Sequence, residues 1–301
     1  MRLLDELRDR IAAHARPGLS TPIDGLLLSR VTTVEPYHVL TEPLLIIMAQ
    51  GGKRLMLGDA VFEYRSGQYL IVTAELAVTG HFLRSDAKTP SLAVGMRLRP
   101  AAIAALLLRA PAPRRPRTTT NPSVIATGAA DVELLDALVR MVRLLDRPCD
   151  IPVLAPLIEQ EILWRLLTGP HADMIGQIGR ADSELNHIGR AISWIRENYA
   201  EPMQIADLAG LAQMSASTFH RHFRAITAMS PLQFQKHIRL QEARALLVAK
   251  AGDVAGIGHL VGYDSPTQFN REYRRQFGLP PGQDAARLRT GDGVADGHRL
   301  P

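Results

Sequence analysis

The chain has 301 residues, 46% hydrophobic and 22% charged, with a formal net charge of +5. That length exceeds a typical single domain and supplies at least one sizeable core, so two domains are expected. A single cysteine, Cys149, excludes an internal disulfide framework and a cysteine-rich zinc cluster, and fits a reducing compartment.

The first segment, "MRLLDELRDRIAAHARPG", interleaves charges with Leu3, Leu4, Leu7 and Ile11 in amphipathic order. A signal peptide or membrane span needs an unbroken apolar stretch, so no membrane partner and a cytoplasmic location are expected. Residues 20–99 string β-branched and aromatic runs between Gly-Gly, Gly-Asp and Ser-Gly turn signals, which predicts an antiparallel barrel or sandwich. At "LRPAAIAALLLRA" the period becomes helical, and "PAPRRPRTTTNPS" follows as a Pro- and Arg-rich connector. Two amphipathic stretches come next. "DVELLDALVRMVRLLDRP" aligns Leu134, Leu138, Met141 and Leu145, and "APLIEQEILWRLLTG" aligns Leu157, Ile158, Glu161, Ile162 and Leu166, predicting a helical hairpin. Such a hairpin either covers the barrel or pairs with its twin in a homodimer. "GQIGRADSEL" is expected to form a polar hinge.

Basic charge concentrates after the hinge. Residues 187–287 hold 12 Lys+Arg against 8 Asp+Glu, whereas residues 1–186 hold 21 against 20. An internal repeat lies in the same region. Ile205, Leu208, Leu211 and Met214 recur as Val254, Ile257, Leu260 and Tyr263, and Ser215, Phe219, Arg221, Phe223, Arg224 and Pro231 recur as Ser265, Phe269, Arg271, Tyr273, Arg274 and Pro281. Each half is predicted as helix, short turn, helix, with Ser215 and Ser265 as N-caps and Pro266 at a first helical position.

The stretch "MSASTFHRHFR" shows what the second helix of each half presents. At about 100° per residue, Phe219, Phe223 and Ile226 share one face, while Ser217, His220, Arg221 and Arg224 share the other. In the second half Phe269 and Tyr273 point inward, and Thr267, Asn270, Arg271 and Arg274 outward. His220 and His222 diverge, unlike an i, i+4 zinc pair, and neither has a carboxylate, Ser or Cys partner at a spacing that would orient it for acid–base work. A hydroxyl, a His or Asn and an Arg fork near a helix N-terminus are instead groups that read base edges in the major groove. Two solvated amphipathic helices would show the same wheel, but packing does not require the repeated Ser and Arg. The intervening helix "SPLQFQKHIRLQEARALLVAK" is expected to face both cores through Ile238, Ala245 and neighbouring leucines. Two heads on one face of a duplex would sit about 34 Å apart.

The run "IRENYAEPMQIADLAGLAQMSASTFHRHFRAITAMSPLQFQKHIRLQEARALL" followed by "VGYDSPTQFNREYRRQFGLPP" resembles the AraC/XylS-type transcription regulators over residues 187–285. "GGKRLMLGDAVFEYRSGQYLIVTAELAVTG" is similar to the AraC-type N-terminal domain, a cupin-like sensing barrel. The resemblance implies an α+β chain: a cupin-like antiparallel β-barrel with flanking helices over 1–120, a helical hairpin for dimerisation and linkage over 121–180, and an all-α double helix-turn-helix domain over 187–287. It implies base contacts from Ser217, His220 and Arg221 in the first head and from Thr267, Gln268, Asn270 and Arg271 in the second, with Arg224 and Arg274 on the phosphate backbone. Implied partners are double-stranded promoter DNA, RNA polymerase, a small-molecule effector and a second copy of the chain. The chain departs from the family at Gln213, where a turn glycine is common and where an unfavourable backbone conformation would cost on the order of 1 kcal/mol. Gly256 and Gly258 stand in a helix the family makes stiffer, which predicts a weaker second head. "PPGQDAARL" lacks the aromatic-basic pair common after that head.

No cofactor or metal is expected in the barrel. His38 and His81 lie far apart with no His-x-His pair, and Tyr37, His38, Tyr64 and Tyr69 are as readily core or surface as ligand lining. A nucleophile elbow and a dinucleotide loop are also missing from the sequence, so a non-enzymatic regulator is expected. The alternatives are an enzyme, or a ligand-free dimerisation barrel, carrying the same DNA-binding module.

Overall fold

The computed structural model of the protein describes residues 2–109, 123–249 and 253–289. They divide into two compact units. The first holds the described residues up to Asn186 apart from His38–Leu40, and the second holds those three and the described residues from His187 onward.

The first unit opens with α1 (Arg2–His14), whose Leu7 and Ile11 are wholly buried. Eight strands follow: β1 (Leu26–Val31), β2 (Tyr37–Leu40), β3 (Leu44–Gln50), β4 (Gly52–Leu57), β5 (Ala60–Arg65), β6 (Gln68–Val72), β7 (Ala77–Phe82) and β8 (Ser91–Arg97). After α2 (Pro100–Arg109) comes β9 (Ile125–Ala129). The strands build two layers, a five-stranded sheet ordered β1-β8-β3-β6-β9 and a four-stranded sheet ordered β2-β7-β4-β5. In β4, Lys53, Leu55 and Leu57 are buried while Arg54 and Met56 are half-buried, the alternation expected of a strand with one face on the core. In β3 the run from Leu44 to Ala49 is buried on both faces, because α1 packs on β1, β3 and β8. The expected turn at Gly58-Asp59 joins β4 to β5, with Leu57 opposite Ala60.

Beyond the connector, whose residues 111–122 lie outside the described residues, the sheet resumes. β9 pairs with β6, Gly128 facing Tyr69, in a stretch assigned from sequence to the hairpin segment. A five-residue run as weakly apolar as "IATGA" gives little strand signal of its own and is fixed by its pairing. The hairpin itself forms from α3 (Val132–Arg143), capped by the Asp131 carboxylate accepting from the Leu134 amide at 2.7 Å, and α4 (Ile151–Thr168). Arg140 links the two helices, donating to Asp136 at 2.8 Å and to Glu161 at 2.7 Å. Leu134, Leu138, Met141, Ile158, Ile162 and Leu166 are buried. Leu157, placed with them by periodicity, instead faces outward with Val153 and Leu154.

The expected hinge is also corrected. "GQIG" is the end of helix α5 (Ala172–Gly179), and a Cβ at Gly179 would lie 2.7 Å from the Ile103 side chain of α2. Glycine there permits helix-on-helix approach, not bending. The four residues that follow are tied down, Asn186 Nδ2 donating to the Arg180 carbonyl at 2.6 Å and Ser183 Oγ to that of Gln177 at 2.8 Å.

The second unit is helical: α6 (Glu184–Glu197), α7 (Ile205–Leu211), α8 (Ala216–Thr227), α9 (Pro231–Ala249), α10 (Val254–Leu260), α11 (Pro266–Phe277) and α12 (Pro281–Arg289). α9 serves two cores. Phe234 and Ile238 are buried on the side of α8, where the Phe234 ring meets Phe223 at 5.6 Å, while Leu240, Ala243 and Leu247 join Ile257, Val261, Tyr263, Phe269 and Tyr273. The two faces lie roughly 180° apart around the helix. Ala245 continues the face of Ile238, runs past the end of that first core and is exposed, contrary to its expected burial.

Candidate nucleic-acid interface

The two halves of the second unit repeat at the level of single hydrogen bonds. In the first, the amides of Ala212, Gln213 and Met214 donate to the carbonyls of Leu208, Gly210 and Ala209 at 3.0, 2.9 and 2.9 Å. In the second, those of Val261, Gly262 and Tyr263 donate to Ile257, His259 and Gly258 at 3.1, 2.9 and 3.0 Å. Asp264 then adds one residue before the cap. Ser215 Oγ accepts from the Thr218 amide at 3.4 Å and Ser265 Oγ from the Gln268 amide at 3.3 Å, so α8 and α11 start in matching registers. Both end alike, in left-handed residues Ala228 (φ 58) and Gly278 (φ 80), whose amides donate to Arg224 and Arg274.

The turn explains a departure noted in the sequence. Gln213 has φ 54 and Gly262 has φ 88, so both turns use the left-handed region and only one has glycine. At Gly262 glycine is obligatory, because a Cβ would lie 2.3 Å from the Ala200 carbonyl oxygen. Gly258 likewise has a packing role, with the Phe269 ring 3.1 Å from where its Cβ would be. Glycine at these two positions thus lets α11 and the Ala200 backbone approach closely.

Every candidate DNA-facing side chain is exposed: Ser217, His220, Arg221 and Arg224 on α8, and Thr267, Gln268, Asn270, Arg271 and Arg274 on α11. Phe219, Phe223 and Ile226, and on α11 Phe269 and Tyr273, are buried behind them. Arg224, Arg271 and Arg274 form no ion pair among the described residues, and Arg221 meets only the His222 ring, at 3.4 Å. Arg275 on α11 is likewise exposed and without an ion pair among the described residues, whereas several other cations of the unit are engaged. Arg239 donates to the carbonyls of Tyr199, Ala200, Glu201 and Gly262, Arg244 pairs with Asp284 at 2.7 Å, and Lys236 pairs with Glu272 at 2.9 Å. Cations left without an internal partner are those able to replace the counterions of a phosphate backbone.

Two outward amides are partly committed. Asn270 Nδ2 donates to the Pro266 carbonyl at 2.9 Å, and Gln268 Nε2 to Glu272 at 3.4 Å. Glu272 is a residue the helical wheel missed. It is buried and gathers Lys236, the Tyr263 hydroxyl at 3.0 Å and Gln268. Burial alone would raise its pKa, but the hydrogen bonds from Lys236 and Tyr263 hold it below the ordinary carboxylate value. The sequence signal for it was faint: its counterpart in the first half is His222, so the repeat did not mark it. Among the described residues no group of three or more His, Cys, Asp or Glu side chains is placed to hold a metal ion, and no helix is long and apolar enough to cross a membrane.

Paired helix-turn-helix heads on a shared helix, preceded by a two-layered antiparallel sheet unit, define a class of DNA-binding regulators. The family model of the AraC-type transcriptional regulator N-terminus matches residues 22–174, and a helix-turn-helix domain model matches residues 208–287. The chain belongs to the AraC-type transcription regulator family. It is similar to the MmsAB operon regulatory protein of Pseudomonas aeruginosa, 31% identical over 103 residues that make up 34% of each chain. It is also similar to the transcriptional activator RhaS of Escherichia fergusonii, 30% identical over 110 residues, 35% of this chain and 38% of the other. The matched region thus spans little more than a third of these curated relatives. In fold it is similar to a ligand-free variant of ToxT from Vibrio cholerae (TM-score 0.59, 9% identity, 87% of this chain and 97% of the other). A ToxT structure with an unsaturated fatty acid bound gives a TM-score of 0.55 at 9% identity, covering 86% and 94%.

Proposed function

We propose that this chain is a sequence-specific transcription regulator that reads two successive major-groove segments of promoter DNA and responds to a small-molecule effector held in its first unit. The observation that carries the reading is the duplication of exposed arginines and hydroxyls on α8 and α11, on helices whose turns, caps and C-terminal left-handed residues repeat bond for bond. Ser217, His220 and Arg221, and Thr267, Gln268, Asn270 and Arg271, supply donors and acceptors to base edges, while Arg224 and Arg274 meet phosphate. The shared family supports regulation, not catalysis, as the activity.

The first unit is the sensor and the pairing surface. Val153, Leu154 and Leu157 are 66%, 40% and 57% exposed on α4, an apolar strip that supports a homodimer through the hairpin. Recruitment of RNA polymerase would complete an activating role. The test is nuclease protection of the DNA upstream of the chain's own and neighbouring genes, with and without candidate metabolites. Protection of two adjacent segments, altered by a metabolite, is the expected result, and uniform protection of unrelated DNA would overturn the reading.

A further inference from the structure

Arg239 sits near the middle of α9 and projects between the two cores that this helix serves. At about 100° per residue it is flanked by Ile238 on the side of the first core and by Leu240 on the side of the second. Its guanidinium is half-buried and makes four hydrogen bonds, all to backbone carbonyls. Nε donates to Tyr199 at 2.6 Å, and Nη2 donates to Ala200 at 3.1 Å and to Glu201 at 3.2 Å. Nη1 donates to Gly262 at 2.6 Å, in the turn of the second head. A Cβ at Gly262 would lie 2.8 Å from the guanidinium carbon, so the fork is seated directly on that turn.

Residues 199–201 belong to the first head. They lead from α6 into α7, and α6 is itself fastened to the first turn, Arg190 Nε donating to the Leu211 carbonyl at 3.1 Å and His187 Nδ1 lying 2.9 Å from that of Ala212. The Tyr199 side chain, in contrast, packs on the second core. Gln235, one turn earlier on α9, also donates to Tyr199 at 3.1 Å and to Glu201 at 2.8 Å. Two of the three carbonyls therefore have a donor besides Arg239, and what Arg239 adds is the link from that segment to the second turn. A planar fork with separate N–H groups can span both sides, whereas a lysine ammonium is a point donor.

We infer that Arg239 is a positioning residue that fixes the register of the two reading heads, and with it the spacing of operator segments that the chain accepts. The inference rests on the reading above that both heads meet one duplex. Two linked binding modules gain affinity over either one only when their geometry lets both engage, and the gain is largest when the linkage already holds the bound arrangement. A continuous helix fixes the distance between the heads along its axis. Rotation of one head about that axis is restrained by contacts at its side, and Arg239 supplies one that holds both heads at once. One base pair more between the segments turns the second by about 34° and carries it about 3.4 Å away, a change that a rigid pair of heads does not follow. Arg239 acts through the heads and not by touching DNA.

The test is titration of the full chain with labelled duplexes taken from the upstream region that the protein protects. They are the intact two-segment duplex, duplexes with either segment scrambled, and duplexes with one base pair inserted or removed between the segments. For the wild type, scrambling a segment or changing the spacing should each weaken binding about tenfold or more. Arg239→Met should lose about tenfold on the intact duplex, change less than about twofold on the scrambled ones, and penalise altered spacing about threefold less, or lower still, than the wild type does. Arg239→Lys should fall between the two, and it carries the test if Arg239→Met fails to fold. A role in stability alone would lower the active fraction and weaken every duplex by one factor. That result overturns the inference, as does a wild-type spacing preference kept in both variants. A wild type indifferent to scrambling and to spacing overturns the two-segment reading, and the inference with it.

Discussion

The Tyr273 hydroxyl donates to the Asp284 carboxylate at 3.0 Å, at the place where the first head packs Phe223 edge to face against Phe234. Tyr273 lies fifty residues after Phe223, and Asp284 fifty after Phe234, so an apolar contact in one copy is a polar one in the other. Asp284 is 0% exposed and is also paired with Arg244 of α9 at 2.7 Å, so one carboxylate ties α12, α11 and α9 together. Removing it strands a half-buried guanidinium. Asp284→Ala should therefore lose about 3–5 kcal/mol in chemical denaturation, and Tyr273→Phe only about 1 kcal/mol. Equal losses would mean that the ion pair contributes nothing beyond the hydroxyl bond.

The left-handed turn residues give a contrast within one molecule. Gln213→Gly and Ala228→Gly should each be neutral or stabilising by up to about 1 kcal/mol, since both sites hold φ above +50° without glycine. Gly262→Ala should destabilise far more, because its Cβ would overlap the Ala200 carbonyl oxygen. Melting temperatures of the three variants check the ranking.

What the sequence made legible follows from which forces are local. The caps at Ser215 and Ser265, the buried Phe219, Phe223 and Phe269, and the strained Gln213 all depend on neighbours within one helical turn, and the repeat displayed them twice. Burial that depends on a distant partner was hidden. Ala245 obeys the helical period of Ile238 but outruns its core, Leu157 obeys the stripe of α4 but faces outward, and Gly179 marks close approach to α2 instead of a hinge. Glu272 and Asp284, the two buried carboxylates of the second head, were hidden because charge usually signals a solvated face.

Glu272 gives the second unit a pH dependence of known sign. Its folded pKa lies below the ordinary 4.5, so its stabilisation is complete above that value and is lost as pH falls through the lowered folded value. Urea midpoints of wild type and Glu272→Gln should differ most near pH 6 and converge toward pH 3. A constant difference across that range would show that the carboxylate acts through shape alone. Freed from Glu272, Gln268 should also change its base preference at one operator position.

Specificity and affinity should separate between two arginines three residues apart on α8. Arg221 lies beside His220 and Ser217 near the helix N-terminus, whereas Arg224 lies one turn closer to the C-terminus, where a groove-bound helix meets the backbone. Arg221→Ala should lower operator affinity by about 1–3 kcal/mol and leave binding to random DNA nearly unchanged. Arg224→Ala should weaken both equally and reduce the slope of log affinity against log salt by about one. Titrations of operator and random duplexes at several salt concentrations measure all four quantities. If Arg221→Ala weakens both duplexes equally, Arg221 is a phosphate contact, and sequence reading by the first head falls to Ser217 and His220.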